Sequence, residues 1–79
     1  MTNVEIRIQV SARSALAKFY KDDRNGTEQV IDSINLLRNN PNQGTKWGDY
    51  RRMHVGVYRV LFQVIDGDPV VISIEHVGR

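Results

Sequence analysis

The sequence predicts an α+β domain of β-α-α-β-β-β order: an N-terminal strand, a helical hairpin, then a three-stranded antiparallel meander, with the helices on one face of a single sheet. Three observations predict it. Apolar and polar residues alternate over Val4–Val10 and again from Tyr50 onward, the period of two that belongs to half-buried strands. Between these stretches apolar residues recur at three- and four-residue spacing, as on a one-sided helix. The later strands are separated by short segments built on Gly, Asp and Pro, the residues of tight turns.

Each element follows from particular residues. Val4, Ile6, Ile8 and Val10 share one face of the first strand, and Glu5, Arg7 and Gln9 share the other. Ser11 is a candidate N-cap, and Ala12, Ala15, Leu16, Phe19 and Tyr20 then mark a helix to about Lys21. Asp22–Gly26 reads as a loop. Thr27 is a second cap candidate, and Val30, Ile31, Ile34 and Leu37 form the apolar stripe of a second helix. Asn39-Asn40-Pro41 ends it, because proline restricts the residue before it and cannot continue the helix. Residues 42–49 are polar with two glycines and read as a loop. In the next strand Met53 and Val55 point one way, Arg52 and His54 the other. Gly56-Val57 turns the chain, Tyr58–Ile65 forms a strand, Asp66-Gly67-Asp68-Pro69 turns it again, and Val70–Val77 forms the last strand.

The expected core joins Leu16, Phe19, Val30, Ile31, Ile34 and Leu37 of the helices to Ile6, Ile8, Val60, Phe62, Val64, Ile72 and Ile74 of the sheet. The other sheet face is open to water, and Arg52, His54, Arg59 and Gln63 fall there.

With 79 residues, the chain is expected to be one domain spanning 1–79 with a small core. A hydrophobic content of 41% with 25% charged residues argues against a disordered chain. The absence of cysteine excludes disulfides and thiolate metal sites. Small secreted domains usually need such staples, so a cytoplasmic location is expected. No apolar run approaches a membrane span and no signal peptide is visible, so no membrane partner is expected. The two histidines lack ligand spacing, so neither metal nor cofactor is expected. The net charge is only +2, but Lys46, Arg51, Arg52 and Arg59 fall within one short stretch against a single acid, Asp49. That concentration suits an anionic partner, nucleic acid or an acidic peptide, although a solvated positive face is the competing account.

The segment "RMHVGVYRVLFQVIDGDPVVISIEHVG", with the β-α-α-β-β-β order and short length, resembles the RelE/ParE toxin superfamily across nearly the whole chain. Its specific part is "VGVYRVLF". The resemblance implies the toxin of a type II toxin–antitoxin pair, with a cognate antitoxin protein as partner. RelE-like members cut messenger RNA on the ribosome without a metal: a ribose 2′-hydroxyl attacks the adjacent phosphate. ParE-like members inhibit DNA gyrase. A third alternative is a catalytically degenerate member that only binds antitoxin. Under the RelE-like reading, Arg59 matches the arginine of the Gly-x-Tyr-Arg motif and would stabilise the charged transition state, since its planar fork binds two phosphate oxygens. Arg52 and His54 match the two alternating basic positions before Val-Gly. Arg52 would hold phosphate, and His54 would be the general base, histidine being the residue type that titrates near neutrality. Lys46, Arg51 and Arg79 are candidates for backbone contacts, and Trp47 for base stacking. One departure stands out. RelE-like nucleases usually continue past Val-Gly-basic into a tail with a tyrosine, and this sequence stops at Val77-Gly78-Arg79.

Structural roles compete for the same residues. Arg59 and Glu75 could pair across neighbouring strands, a contact worth about 0.2–1 kcal/mol. His54 could be an ordinary strand histidine, His76 a core-edge one, and Trp47 a plug at the core margin. Tyr58 should face away from Arg59 and pack.

Overall fold

The computed structural model describes residues 3–79, so residues 1 and 2 of the expected domain lie outside the described residues. The chain runs β1 (Val4–Ile8), α1 (Val10–Asp22), α2 (Arg24–Leu36), β2 (Thr45–Trp47), β3 (Tyr50–Val55), β4 (Tyr58–Ile65) and β5 (Val70–Gly78). All five strands form one sheet in the order β1-β5-β4-β3-β2. β1 joins the edge parallel to β5, and the remaining neighbours are antiparallel. The α+β architecture is the expected one, with β2 as an added strand.

The first strand ends sooner than its alternation suggests. Gln9 still donates its N–H to the Ile74 carbonyl (2.9 Å), but its own carbonyl already accepts the first helical bond, from Arg13 N–H (2.9 Å). Gln9 is therefore the N-cap position, not Ser11, and Val10 lies in the first turn, 80% exposed. Alternation alone cannot mark where a strand stops feeding a core.

The loop expected over Asp22–Gly26 is a single residue. Asp23 donates its N–H to Phe19 O at the end of α1, and its side chain accepts from Gly26 N–H at the start of α2. One residue thus satisfies orphan groups at two helix termini, through its backbone N–H at the end of α1 and its carboxylate at the start of α2. Thr27 lies inside that first turn rather than capping it. It is buried, and its hydroxyl donates to the Asp23 carbonyl (2.7 Å).

The helices cover one sheet face. Ala12, Leu16, Val30, Ile34 and Leu37 meet Met53, Tyr58, Val60, Phe62, Ile72, Ile74 and Val77, with Ile6, Ile8, Phe19 and Val64 packed at the margin. Ile31, expected in this core, is exposed because the buried stripe runs through Thr27, Val30, Ile34 and Leu37, one helical step aside. Tyr58 faces the core as expected. It packs tilted against Phe19, with ring centroids 5.3 Å apart, and its hydroxyl donates to Asp23 Oδ2 (2.9 Å).

Asp23 therefore titrates below its ordinary value of 3.8, first through the Gly26 N–H bond and then through the Tyr58 hydroxyl. A depressed carboxylate contributes stability that is present above the unfolded-state value and lost as pH falls through the folded-state one. Urea unfolding of the wild type is expected to weaken on acidification through and below pH 3.8, and Asp23→Asn is expected to flatten that dependence.

Two glycines set the hairpins. Gly48 (φ +62°) and Gly56 (φ +60°) each occupy the first central position of a two-residue turn, joining Trp47 to Tyr50 and Val55 to Tyr58. Positive φ there, with negative φ at the following residue, matches the type II′ turn that suits strand twist. The Gly48-Asp49 pair was the available signal for β2, which the polar composition of residues 42–49 concealed.

Candidate nucleic-acid interface on the open sheet face

Register decides which side chains meet. Arg52 pairs with Thr45 on β2 and Leu61 on β4, and His54 pairs with Arg59. Leu61 pairs in turn with His76, and Arg59 with Gly78, on β5. Directly paired residues share a face, so Arg52, Leu61 and His76 form one row across the open face, and His54, Arg59 and Gly78 form the next.

Trp47, Arg52, Arg59, Leu61, His76 and Gly78 line a shallow depression of about 210 Å³. Trp47 is 67% exposed, so it does not plug the core. The Arg52 guanidinium stands over its ring, 5.3 Å from the centroid, a cation–π contact between the two side chains. No acid lines the depression. Among the described residues, the side chains of Arg52, Arg59, His54 and His76 have no hydrogen-bond or ion-pair partner.

Five of the other arginines are occupied. Arg7 pairs with Glu5, Arg24 with Glu28, and Arg38 donates to the Val4 carbonyl. Arg51 donates to the carbonyls of Gln43 (3.3 Å) and Asn42 (2.8 Å), pinning the segment before β2. Arg79 donates to Asp22 (3.0 Å), and its guanidinium lies 4.7 Å from the Phe19 ring centroid and 6.0 Å from that of Tyr58. Its pKa is raised above the ordinary arginine value, first by the bond to Asp22.

The candidates from sequence thus separate. The structure brings together Trp47, Arg52 and Arg59. His54 faces Arg59 in register but stands at the margin, lining a separate hollow at the β3 edge with Ser33, Leu36 and Met53. Lys46 and Arg51 pair with each other on the opposite face from Arg52, around a hollow that also holds Asp49 and Asp66. Mixed charge there is less suited to a polyanion. Arg79 does not line the depression; it lies against α1 in an adjoining hollow that shares His76 and Gly78 with it. The pairing of Arg59 with Glu75 does not occur: Arg59 faces Gly78, and Glu75 accepts a hydrogen bond from Ser73 instead (2.9 Å).

Sequence reasoning missed His76, Leu61 and Gly78. His76 is an exposed member of the depression rather than a core-edge residue. The cause is a register shift between Leu61 and Phe62: Leu61 pairs with His76 but Phe62 pairs with Ile74, leaving Glu75 as an extra residue on β5. The one available signal was the three-residue interval between Ile74 and Val77, both core residues, in a strand whose other core residues are two apart.

The sequence matches the family model described as "ParE toxin of type II toxin-antitoxin system, parDE" over residues 6–79. The chain belongs to this toxin family. No curated protein sequence matches it significantly. Among solved structures it is similar to the free state of an E. coli toxin RelE mutant in which two arginines are replaced by alanine. The TM-score is 0.79 at 21% identity, covering 100% of this chain and 84% of that one. At that identity the likeness is one of fold, the shared RelE-like α+β architecture. A type II toxin is one half of a toxin–antitoxin pair, so an antitoxin partner follows from the family. Among the described residues, no helix of the toxin is long and apolar enough to cross a membrane.

Proposed function

We propose that this toxin is a cytoplasmic, ribosome-dependent messenger-RNA endoribonuclease whose site is the open-face depression. One observation carries the reading: two arginines without acidic partners, an exposed tryptophan and an imidazole share one hollow free of carboxylates. Those are the groups that metal-independent RNA cleavage asks for. The 2′-oxygen attacks phosphorus, charge accumulates on the phosphate oxygens, and the 5′-oxygen leaves. In this reading Arg59 and Arg52 meet the growing charge with guanidinium N–H donors that no acid occupies. Trp47, braced by Arg52, offers a flat surface for a base. His54, beside Arg59, is the base that takes the 2′-hydroxyl proton.

Induced expression followed by primer extension on a translated message tests this. Growth arrest with new ends inside codons is the expected result. The matched family description favours a second reading, that of a gyrase-inhibiting, ParE-like binding protein. It predicts arrest with intact message and a DNA-damage response.

Trp47 gives a further prediction. Trp47→Ala is expected to weaken binding to the programmed ribosome by about 1–3 kcal/mol, the typical worth of one base–aromatic stack. Folding stability should be nearly unchanged, because the ring is largely exposed. Binding titrations beside urea unfolding check both parts.

The antitoxin is proposed to mask Arg52 and Arg59 with an acidic or amphipathic segment laid across the open face. An antitoxin footprint confined to the helices would overturn direct masking.

A further inference from the structure

We propose that His76 is the general acid of this site, handing a proton to the 5′-oxygen as it leaves. The inference rests on the nuclease reading above and adds a residue and a role to it.

The bulge is the first ground. With uninterrupted alternation after Ile74, His76 would point into the helical layer and Val77 to solvent. The extra residue, Glu75, inverts this, so Val77 is buried and His76 stands on the open face. Bulges re-aim side chains at the cost of a disrupted ladder, and this one delivers an imidazole into a cationic hollow.

The second ground is where the ring lies. A Cβ added to Gly78 would come within 3.3 Å of His76 Nε2 and 3.8 Å of its Cδ2. The imidazole therefore leans along β5 toward Gly78, the residue that faces Arg59. Glycine leaves that approach open.

The third ground is spacing. His54 on β3 and His76 on β5 lie on either side of β4, two strand spacings or about 10 Å apart between strand axes, with His76 one row along the sheet from the row of His54 and Arg59. An in-line array of attacking oxygen, phosphorus and leaving oxygen, with a hydrogen bond at each end, has comparable length. Arg59 stands on the intervening strand in register with His54 and is the group assigned to the phosphate.

The step balances. The 2′-oxygen forms a bond to phosphorus and its proton passes to neutral His54. The bond from phosphorus to the 5′-oxygen breaks, and that oxygen keeps the electron pair and takes a proton from imidazolium His76. The products are a 2′,3′-cyclic phosphate and a free 5′-hydroxyl. Water-mediated exchange then resets both rings.

The test uses the purified full-length toxin and ribosome-bound message in two forms, one natural and one with sulfur replacing the 5′-bridging oxygen at the cleaved bond. A thiolate leaves without being protonated. His76→Ala is expected to slow cleavage of the natural message by about 10²–10⁴-fold, the usual share of general acid–base catalysis. It should cleave the sulfur-bridged message at nearly the wild-type rate, which also establishes that the variant is folded. Arg59→Ala should be slow on both. If His76→Ala is equally slow on both messages, or unimpaired on the natural one, while the wild type cleaves, the assignment of His76 falls and the nuclease reading stands. If the wild type cleaves neither message, both fall together.

Discussion

Arg59→Ala is expected to abolish growth inhibition and message cleavage while leaving the fold intact. Three observations set the size of the effect. Arg59 lies between His54 and Gly78 in register, lines the open-face depression, and has no ion-pair or hydrogen-bond partner among the described residues. Removing one donor from a preorganised charge-stabilising site costs about 10²–10³ in rate. Cutting back an exposed side chain that supports nothing should alter stability by no more than about 0.5 kcal/mol. Primer extension beside urea unfolding reads both quantities on the same variant. Arg59→Lys keeps the charge but not the two-pronged geometry, so it should recover only part of the rate. Cleavage that persists in Arg59→Ala would move the chemistry elsewhere on the sheet. Growth arrest without cleavage in the wild type would favour gyrase.

Tyr58→Ala is expected to have the largest effect on stability. Tyr58 is 2% exposed at the start of β4, where the hairpin from β3 meets the junction of the two helices. Its ring packs on Phe19 and lies beneath Arg79, and its hydroxyl bonds to the residue that caps both helices. Truncation of a large buried aromatic costs about 3–5 kcal/mol. Against the roughly 5–15 kcal/mol that holds a typical domain, this would bring so small a chain close to unfolding. Tyr58→Phe keeps the packing and deletes the hydroxyl. It should therefore be much milder, and it should bring the Asp23 pKa back toward the ordinary carboxylate value. Denaturant unfolding of the two variants at neutral and acidic pH separates packing from hydrogen bonding.

Much of this was legible in the sequence because local patterns carried it. Met53 and Val55 alternate with Arg52 and His54, and the structure keeps that division. The placement of Tyr58 and Arg59 on opposite faces follows from their adjacency in a strand. The misses arise where one residue serves two elements. Asp23 closes α1 and opens α2 together, so no loop was needed where charged residues and a glycine suggested one. Lys46 and Arg51 count toward a basic stretch in one dimension, yet they face away from Arg52 because neighbouring residues of a strand point to opposite sides.

By itself, then, the sequence determined the α+β class, the order of the main elements, most of the core, and the toxin family through the "VGVYRVLF" segment. These rest on periodicity, turn chemistry and a contiguous motif, all local properties of the chain. Only the tertiary structure decided which cations are free and which are bound to partners far along the chain, as Arg79 is to Asp22. It also decided which ring enters the hollow. A single extra residue on β5 turns His76 outward, and that registers only against β4, because a bulge is a mismatch between two strands and not a property of either one alone.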